Sequence, residues 1–263
     1  MRREADQMIR FLATDLDNTL LRSDKSISDY SISVLQQCRK EGILIAFATA
    51  RSLPSAQPYL SRFMPDVFIG YGGAFTMEKG KITRQCPLQF QTVGRLLRCC
   101  AMYPQVAVIH ANRQDITLTN LKTEAIEDPT HYCYMDFADI PPDNYFKISV
   151  RCSDPDAVIQ IANQNSECRL QIYAEENFYT FSHISATKWN ALKKVAASYS
   201  VRLSEIAAFG NDQNDLEMIQ NCGYGIAMKN AISGVKHAAR FSCLTNDNDG
   251  VAKWIENFLL FKK

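Results

Sequence analysis

Two carboxylates stand two residues apart near the start of the chain, where the apolar run Phe11-Leu12-Ala13-Thr14 gives way to Asp15-Leu16-Asp17-Asn18-Thr19. Acids this close at a strand tip repel one another unless a cation neutralises them. Other apolar runs end in polar groups too: Thr49 after residues 43–48, Asn211-Asp212-Gln213-Asn214-Asp215 after 206–209, and Asn230 after 224–228. Lys188 opens a helical pattern. Together these residues offer oxygen ligands, a hydroxyl and an ammonium, with no histidine or thiolate. Such donors suit Mg²⁺, which prefers octahedral oxygen and keeps waters and a substrate phosphate in its shell. A threonine and a lysine beside that ion suit phosphoryl oxygens. In that setting one carboxylate can attack phosphorus to give an aspartyl-phosphate, and a second can shuttle the proton.

These groups meet only if the apolar runs are neighbouring strands. Residues 11–14 and 43–48 read as buried parallel strands, joined by a helix that begins near Ser28-Asp29 and ends before Gly42. Strand, helix and strand within about 40 residues make a right-handed βαβ unit, with Asp15 and Thr49 at one sheet edge. Residues 67–70 continue the sheet, and Glu78-Lys79-Gly80 reads as a hairpin turn between 75–77 and 81–83. From about Cys86 to Ile184 alternating strands and two helices (92–102 and 155–164) suggest an α+β insertion, after which the α/β pattern resumes. The expected architecture is α/β: a Rossmannoid parallel-sheet core from residues 1–84 and 185–263, with an α+β domain at 85–184. Open sheets of this kind bind ligands beyond the carboxyl ends of their strands.

Bulk properties narrow the partners. The 263 residues are 46% hydrophobic and 22% charged, as in an ordinary globular protein. A net charge of +1 gives no reason to expect nucleic acid or an anionic membrane. No apolar run approaches the roughly 20 residues of a spanning helix. No signal-peptide segment precedes Asp15, and the nine scattered cysteines read as reduced and buried, so a cytoplasmic location is expected. Cys99-Cys100 reads as helix core packing. His110, His131, His183 and His237 lack ligand spacing, and the aromatic stretch Tyr132-Cys133-Tyr134-Met135-Asp136-Phe137 either lines a pocket or packs in the inserted domain. A monomer or weak homodimer is expected.

Asp15-Leu16-Asp17-Asn18-Thr19-Leu20 resembles the Asp-x-Asp-x-Thr signature of the haloacid dehalogenase (HAD) superfamily. Thr49-Ala50-Arg51 resembles its second motif, Lys188 its third, and Gly210-Asn211-Asp212-Gln213-Asn214-Asp215 its fourth. The spacing and the long insertion are similar to the Cof-type phosphatases, which carry a type IIB cap. Tyr71-Gly72-Gly73-Ala74, Ala227-Met228-Lys229-Asn230-Ala231 and Asn246-Asp247-Asn248-Asp249-Gly250 resemble further signatures of that subfamily.

The resemblance implies a Mg²⁺-dependent phosphatase of small phosphorylated metabolites, sugar phosphates first. In it Asp15 is the nucleophile and a metal ligand. Asp17 is the general acid/base, with its carbonyl on the metal. Thr49 binds phosphoryl oxygens, beside Ala50 and Arg51, and Arg51 either contacts substrate or pairs at the surface. Lys188 neutralises the phosphate and orients Asp15. Asn211 or Asp212 completes the metal site, Asn214 in the same loop binds substrate, and Asn230 lies at the substrate's edge. Asp215 is a ligand neighbour, or it holds Lys188 and caps its own helix. The family's fourth motif has Asp where this chain has Asn211. The second has Gly where it has Ala50, and Trp189 replaces a glycine after Lys188. A sugar phosphotransferase or mutase, and a non-catalytic phosphometabolite-binding protein, are the other readings of the same residues.

Overall fold

The computed structural model describes residues 8–122, 129–173 and 177–260. Two compact units divide the chain: one of residues 1–50, 57–83 and 187–263, the other of 51–56 and 84–186. The short segment 51–56, which contains Arg51, groups with the second unit, whereas the sequence pattern assigned it to the core.

The chain opens with β1 (Phe11–Thr14), α1 (Asp29–Lys40), β2 (Leu44–Ala48), α2 (Leu53–Arg62), β3 (Val67–Gly70), β4 (Phe75–Glu78) and β5 (Lys81–Gln85). All four residues of β1 are buried, as a strand covered on both faces requires. The Ser28 side chain caps α1 by accepting from the Ser31 N–H at 3.0 Å, and Gly42 follows that helix with φ +79°. Lys79 and Gly80 both have left-handed φ values, 49° and 76°, the backbone that a two-residue hairpin turn demands.

The second unit holds α3 (Phe90–Ala101), β6 (Val106–Asn112), β7 (Thr117–Thr119), β8 (Tyr132–Tyr134), β9 (Lys147–Cys152), α4 (Pro155–Asn163), β10 (Cys168–Tyr173) and β11 (Phe178–His183). Its sheet runs β10-β11-β9-β6-β7-β8. Val93, Leu96 and Leu97 of α3 and Val158 and Ile161 of α4 form a core with Ile109, Ala111, Ile148, Val150 and Phe181 of the sheet. Cys99 and Cys100 both belong to that core. Cys133, by contrast, is exposed. The aromatic stretch begins in the edge strand β8, paired parallel to β7, and its Met135 and Phe137 pack against the core of this unit.

The chain then returns to the first unit with α5 (Lys188–Ser198), β12 (Ile206–Gly210), α6 (Leu216–Asn221), β13 (Tyr224–Ala227), α7 (Ser233–Ala238), β14 (Phe241–Ser242) and α8 (Gly250–Ile255). Its sheet runs β14-β13-β12-β1-β2-β3-β4-β5. The strands from β14 to β3 are parallel, and β4 is antiparallel to β3. After β1 the chain builds one side of the sheet, and on its return it builds the other. The topological switch therefore falls at β1 and β12, where such sheets place their ligands. Among the described residues no helix is long and apolar enough to cross a membrane.

Close packing of α6 on β13 depends on a glycine. A Cβ added at Gly225 would lie 1.9 Å from the Ile219 carbonyl oxygen, whereas one at Gly234 in α7 would meet nothing within 4 Å. Gly225→Ala is expected to cost at least about 2 kcal/mol. Gly234→Ala is expected to be neutral or to stabilise by up to about 1 kcal/mol. Urea denaturation of the two variants beside the parent measures the difference.

Candidate active site

β1 delivers Asp15 to the switch point, where its N–H donates to the Phe209 carbonyl of β12 at 3.1 Å. The chain then makes a wide turn over Leu16–Leu20, closed by the Leu21 N–H donating to the Leu16 carbonyl at 2.8 Å. Inside that turn Asn18 takes a left-handed φ of 55°, a conformation that asparagine tolerates better than most residues. Its carbonyl accepts from the Asn230 side chain at 2.8 Å. The Asn230 side-chain oxygen Oδ1 accepts in turn from the Asn246 N–H at 3.3 Å. Both ends of the Asn230 amide are thus occupied in holding the turn.

The turn is clamped further by the segment that precedes α8. Arg22 donates through Nε and Nη2 to the two carboxylate oxygens of Asp249, at 3.2 and 2.6 Å. Ser23 pairs with Asp247 through its N–H and its hydroxyl, both at 2.7 Å. The Asn246 side chain donates to the Leu21 carbonyl at 3.0 Å. The C-terminal asparagine and aspartates are therefore scaffold for the loop that carries the catalytic candidates.

Lys188 lies at the centre of the site. Thr187 caps α5 by accepting from the Asn190 N–H at 2.9 Å, so Lys188 takes the first helical position. Its ammonium is 2.7 Å from Asp15 Oδ1 and 2.7 Å from Asp215 Oδ1. All three side chains are buried, Lys188 at 1% exposure and Asp215 at 0%. Burial alone would lower the lysine's pKa, but the charges and hydrogen bonds of Asp15 and Asp215 outweigh it and the pKa rises. Burial pushes the Asp15 carboxyl up, Lys188 pulls it back, and Asp215 raises it again, leaving it near 7 instead of 3.8. One ammonium thus faces two buried carboxylates.

Asp215 also organises the loop after β12. Its Oδ2 accepts from the N–H groups of Asn211 and Asp212, at 2.9 and 3.1 Å. Gly210 is needed for this approach, because a Cβ there would lie 2.4 Å from the Asp215 Cβ. The loop turns Asn211 toward Thr19, whose buried hydroxyl donates to Asn211 Oδ1 at 2.8 Å. Asp212 instead spends Oδ1 on the Gln213 N–H at 2.7 Å. Asn214 Oδ1 is buried and finds no partner among the described residues.

The other sequence-derived candidates are placed less uniformly. Thr49 follows β2, is 1% exposed, and donates its N–H to the Ile69 carbonyl at 2.8 Å. Ala50 follows it in the same unit. Arg51 groups with the second unit and donates to the Ser55 carbonyl at 3.2 Å. Asp17 is partly exposed and pairs with Lys25 at 3.0 Å. Lys25 and Thr19 were missed as site residues in the sequence reading. The only signal for Lys25 was its place in a turn, Asp24-Lys25-Ser26, that bends back toward Asp17. Trp189, next to Lys188, has the ammonium of Lys193 5.6 Å from its ring centroid.

The donors brought together at the β1–β12 tip are oxygen: the Asp15 carboxylate and the Asn211 amide. Among the described residues no group of three or more His, Cys, Asp or Glu is arranged to hold a metal. Such a set fits a hard cation that keeps part of its water, and does not fit a thiolate- or imidazole-bound metal.

A family model described as haloacid dehalogenase-like hydrolase matches residues 12–255. The 5-amino-6-(5-phospho-D-ribitylamino)uracil phosphatase YitU of Bacillus subtilis is 25% identical over 263 residues, covering 94% of this chain and 96% of its own. The HMP-PP phosphatase of Citrobacter koseri is 25% identical over 236 residues, 86% of each chain. Among solved structures, the HAD subclass IIB sugar phosphatase BT4131 superposes with a TM-score of 0.82 at 18% identity, covering 95% of this chain and 98% of that one.

Removing the shared ammonium should expose the cost of the buried acids. Lys188→Met is expected to destabilise the protein by about 3–5 kcal/mol. Asp215→Asn added to that variant should return part of the loss, because one of the two facing charges is gone. Guanidinium unfolding at pH 7 reads both, and a Lys188→Met loss under about 1 kcal/mol would contradict this account of the cluster.

Proposed function

The chain belongs to the haloacid dehalogenase-like hydrolases, and from that premise we propose a Mg²⁺-dependent hydrolysis of small phosphorylated metabolites, sugar phosphates first, through an aspartyl-phosphate on Asp15. It is a Cof-type member with a subclass IIB cap domain and a phosphoric monoester hydrolase. The enzyme assignment displaces the reading of the chain as a non-catalytic binding protein. The observation that carries the proposed chemistry is the 2.7 Å contact of Lys188 with Asp15 Oδ1. It locks the carboxylate at a sheet tip and leaves Oδ2 to meet phosphorus.

In the first half-reaction Asp15 Oδ2 attacks phosphorus in line, and the P–O bond to the organic group breaks. Asp17 gives the leaving oxygen its proton. The Thr49 hydroxyl donates to a phosphoryl oxygen, and Lys188 offsets the charge that gathers there. In the second half-reaction Asp17 removes a proton from water, which attacks phosphorus and frees Asp15. The Asp17 carboxylate, partly exposed and 3.0 Å from the Lys25 ammonium, can exchange protons with solvent between the two half-reactions. Asp15, the Asp17 carbonyl and Asn211 would hold Mg²⁺, which supplies positive charge between the carboxylate and the phosphate when bound. Asn211 is the favoured ligand over Asp212 because Thr19 already aims its amide oxygen, whereas Asp212 is engaged as a cap.

Two measurements test this reading. Asp15→Asn should lower kcat by about four orders of magnitude or more with the fold intact by circular dichroism, in a screen of sugar, nucleotide and cofactor phosphates that reads free phosphate rather than an isomerised ester. Retained hydrolysis in that variant would sink the mechanism. Asn211→Asp adds a ligand charge and should tighten Mg²⁺ binding about tenfold, read by calorimetry as well as by the Mg²⁺ concentration for half-maximal activity.

A further inference from the structure

The first unit carries a cavity at the β14 edge of its sheet, apart from the groups gathered around Lys188. It encloses about 900 Å³ and is bordered by β14, α7, α8 and the two residues that follow β13. Cavities of this size hold small molecules. Asp15, Asp17, Thr49, Lys188 and Asn211 are not among its lining residues. It lies at the edge because the sheet ends there: β14 is two residues long and pairs with β13 alone.

One wall of the cavity is aromatic. Trp254 and Phe258 stand four residues apart, the spacing of neighbours on a helical turn. Their rings stack with centroids 4.4 Å apart and planes 17° from parallel. Phe209 and Phe241 meet Trp254 edge-on, at 5.4 and 6.0 Å, so the indole is fixed in orientation by its neighbours. Beside it the Cys243 thiol lies 3.2 Å from the Met228 sulfur. Sulfur and π surfaces of this kind are polarisable and suit a flat, apolar ring.

The remaining border is cationic. Lys229 follows β13, Lys236 belongs to α7 and Lys253 to α8, and all three line the cavity, whereas no Asp or Glu does. Lys229 and Lys236 are exposed and Lys253 is half-buried. Among the described residues none of the three is in an ion pair. The acids closest in sequence to Lys253 are engaged elsewhere: Asp249 accepts from Arg22 and Ser28, and Glu256 accepts from Tyr30. Three ammoniums from three elements, with no counter-charge between them, raise the local potential for anions. Lysine meets phosphate as a point charge, with no need of a planar fork.

These features select one occupant. A second copy of this chain would bring the same three lysines and be repelled. An apolar molecule would leave the ammoniums unanswered, and a free phosphate would leave the aromatic wall bare. We propose that this cavity is a second ligand site, for a nucleotide carrying two or more phosphates. Its base lies against Trp254 and Phe258, and its phosphates meet Lys229, Lys236 and Lys253. The site adjoins the supports of the catalytic turn: Lys229 precedes Asn230, which holds the Asn18 carbonyl, and Gly250 follows Asp249, which holds Arg22. The proposal does not depend on the phosphatase reading.

The test uses the full chain with Trp189→Phe, which leaves Trp254 as its one tryptophan. The probe is the α,β-methylene analogue of ADP, whose bridging carbon resists hydrolysis, compared with adenosine and with methylenediphosphonate. The analogue is expected to quench Trp254 emission and to bind at least about tenfold more tightly than either fragment. Raising KCl should weaken it, as screening of the lysines requires. Lys236→Glu combined with Lys253→Glu should weaken binding at least about tenfold, with an unchanged urea midpoint showing that the fold is kept. Lys253→Gln alone gives a smaller loss of the same sign and serves if the double variant does not fold. No binding of the analogue, binding that leaves Trp254 emission unchanged, adenosine binding as tightly as the analogue, or affinity unaffected by the lysine substitutions each overturns the proposal.

Discussion

A single buried ammonium between two buried carboxylates is the constraint on which the rest of the site depends. Lys188 is 2.7 Å from both Asp15 and Asp215, and each of the three comes from a different element: α5, the tip of β1, and the loop after β12. Burying ions is costly unless geometry and hydrogen bonds compensate. Here the compensation is shared. Lys188 satisfies Oδ1 of both acids, and Asp215 uses Oδ2 to gather the N–H groups of Asn211 and Asp212. Burial, with the second carboxylate adding to it, holds Asp15 near pKa 7 despite the adjacent ammonium.

Much of the remaining first unit serves to keep that cluster in register. The turn carrying Asp17, Asn18 and Thr19 has Asn18 in a left-handed conformation. It is pinned from one side by Asn230 and from another by the 246–249 segment through Arg22, Ser23 and the Leu21 carbonyl. Glycines make the close approaches possible: Gly210 against Asp215, and Gly73 against the Thr187 carbonyl, where a Cβ would lie 2.1 Å away. Thr187 caps the helix that presents Lys188, so this second approach braces the lysine from behind.

Strand ends and strong turns were legible in the sequence. Runs of four or five apolar residues that stop at a polar residue identify buried parallel strands, and Lys79-Gly80 marks its hairpin through a backbone few other pairs adopt. Short edge elements were not legible. β14 is two residues long, and β8 follows Thr130 and His131 with no alternation to distinguish it from a loop. Such elements form because a neighbouring strand offers unpaired backbone groups, which no local pattern records. Arg51 shows the same limit: it follows Thr49 and Ala50 directly, yet its segment groups with the other unit.

The chemical inventory was legible in the chain itself: two acids at a strand tip, a threonine and an amide-rich loop at the carboxyl ends of strands, because apolar runs must stop where the sheet meets water, and a lysine at the start of a helix. Only the tertiary structure decided how those groups are paired. Whether Asn211 or Asp212 faces Thr19, whether Asp215 holds a ligand or Lys188, and whether Asn230 has an amide to spare all depend on hydrogen bonds between residues 27 to 212 positions apart. Such contacts follow from the strand order around β1 and β12, and the spacing of residues along the chain carries no information about them.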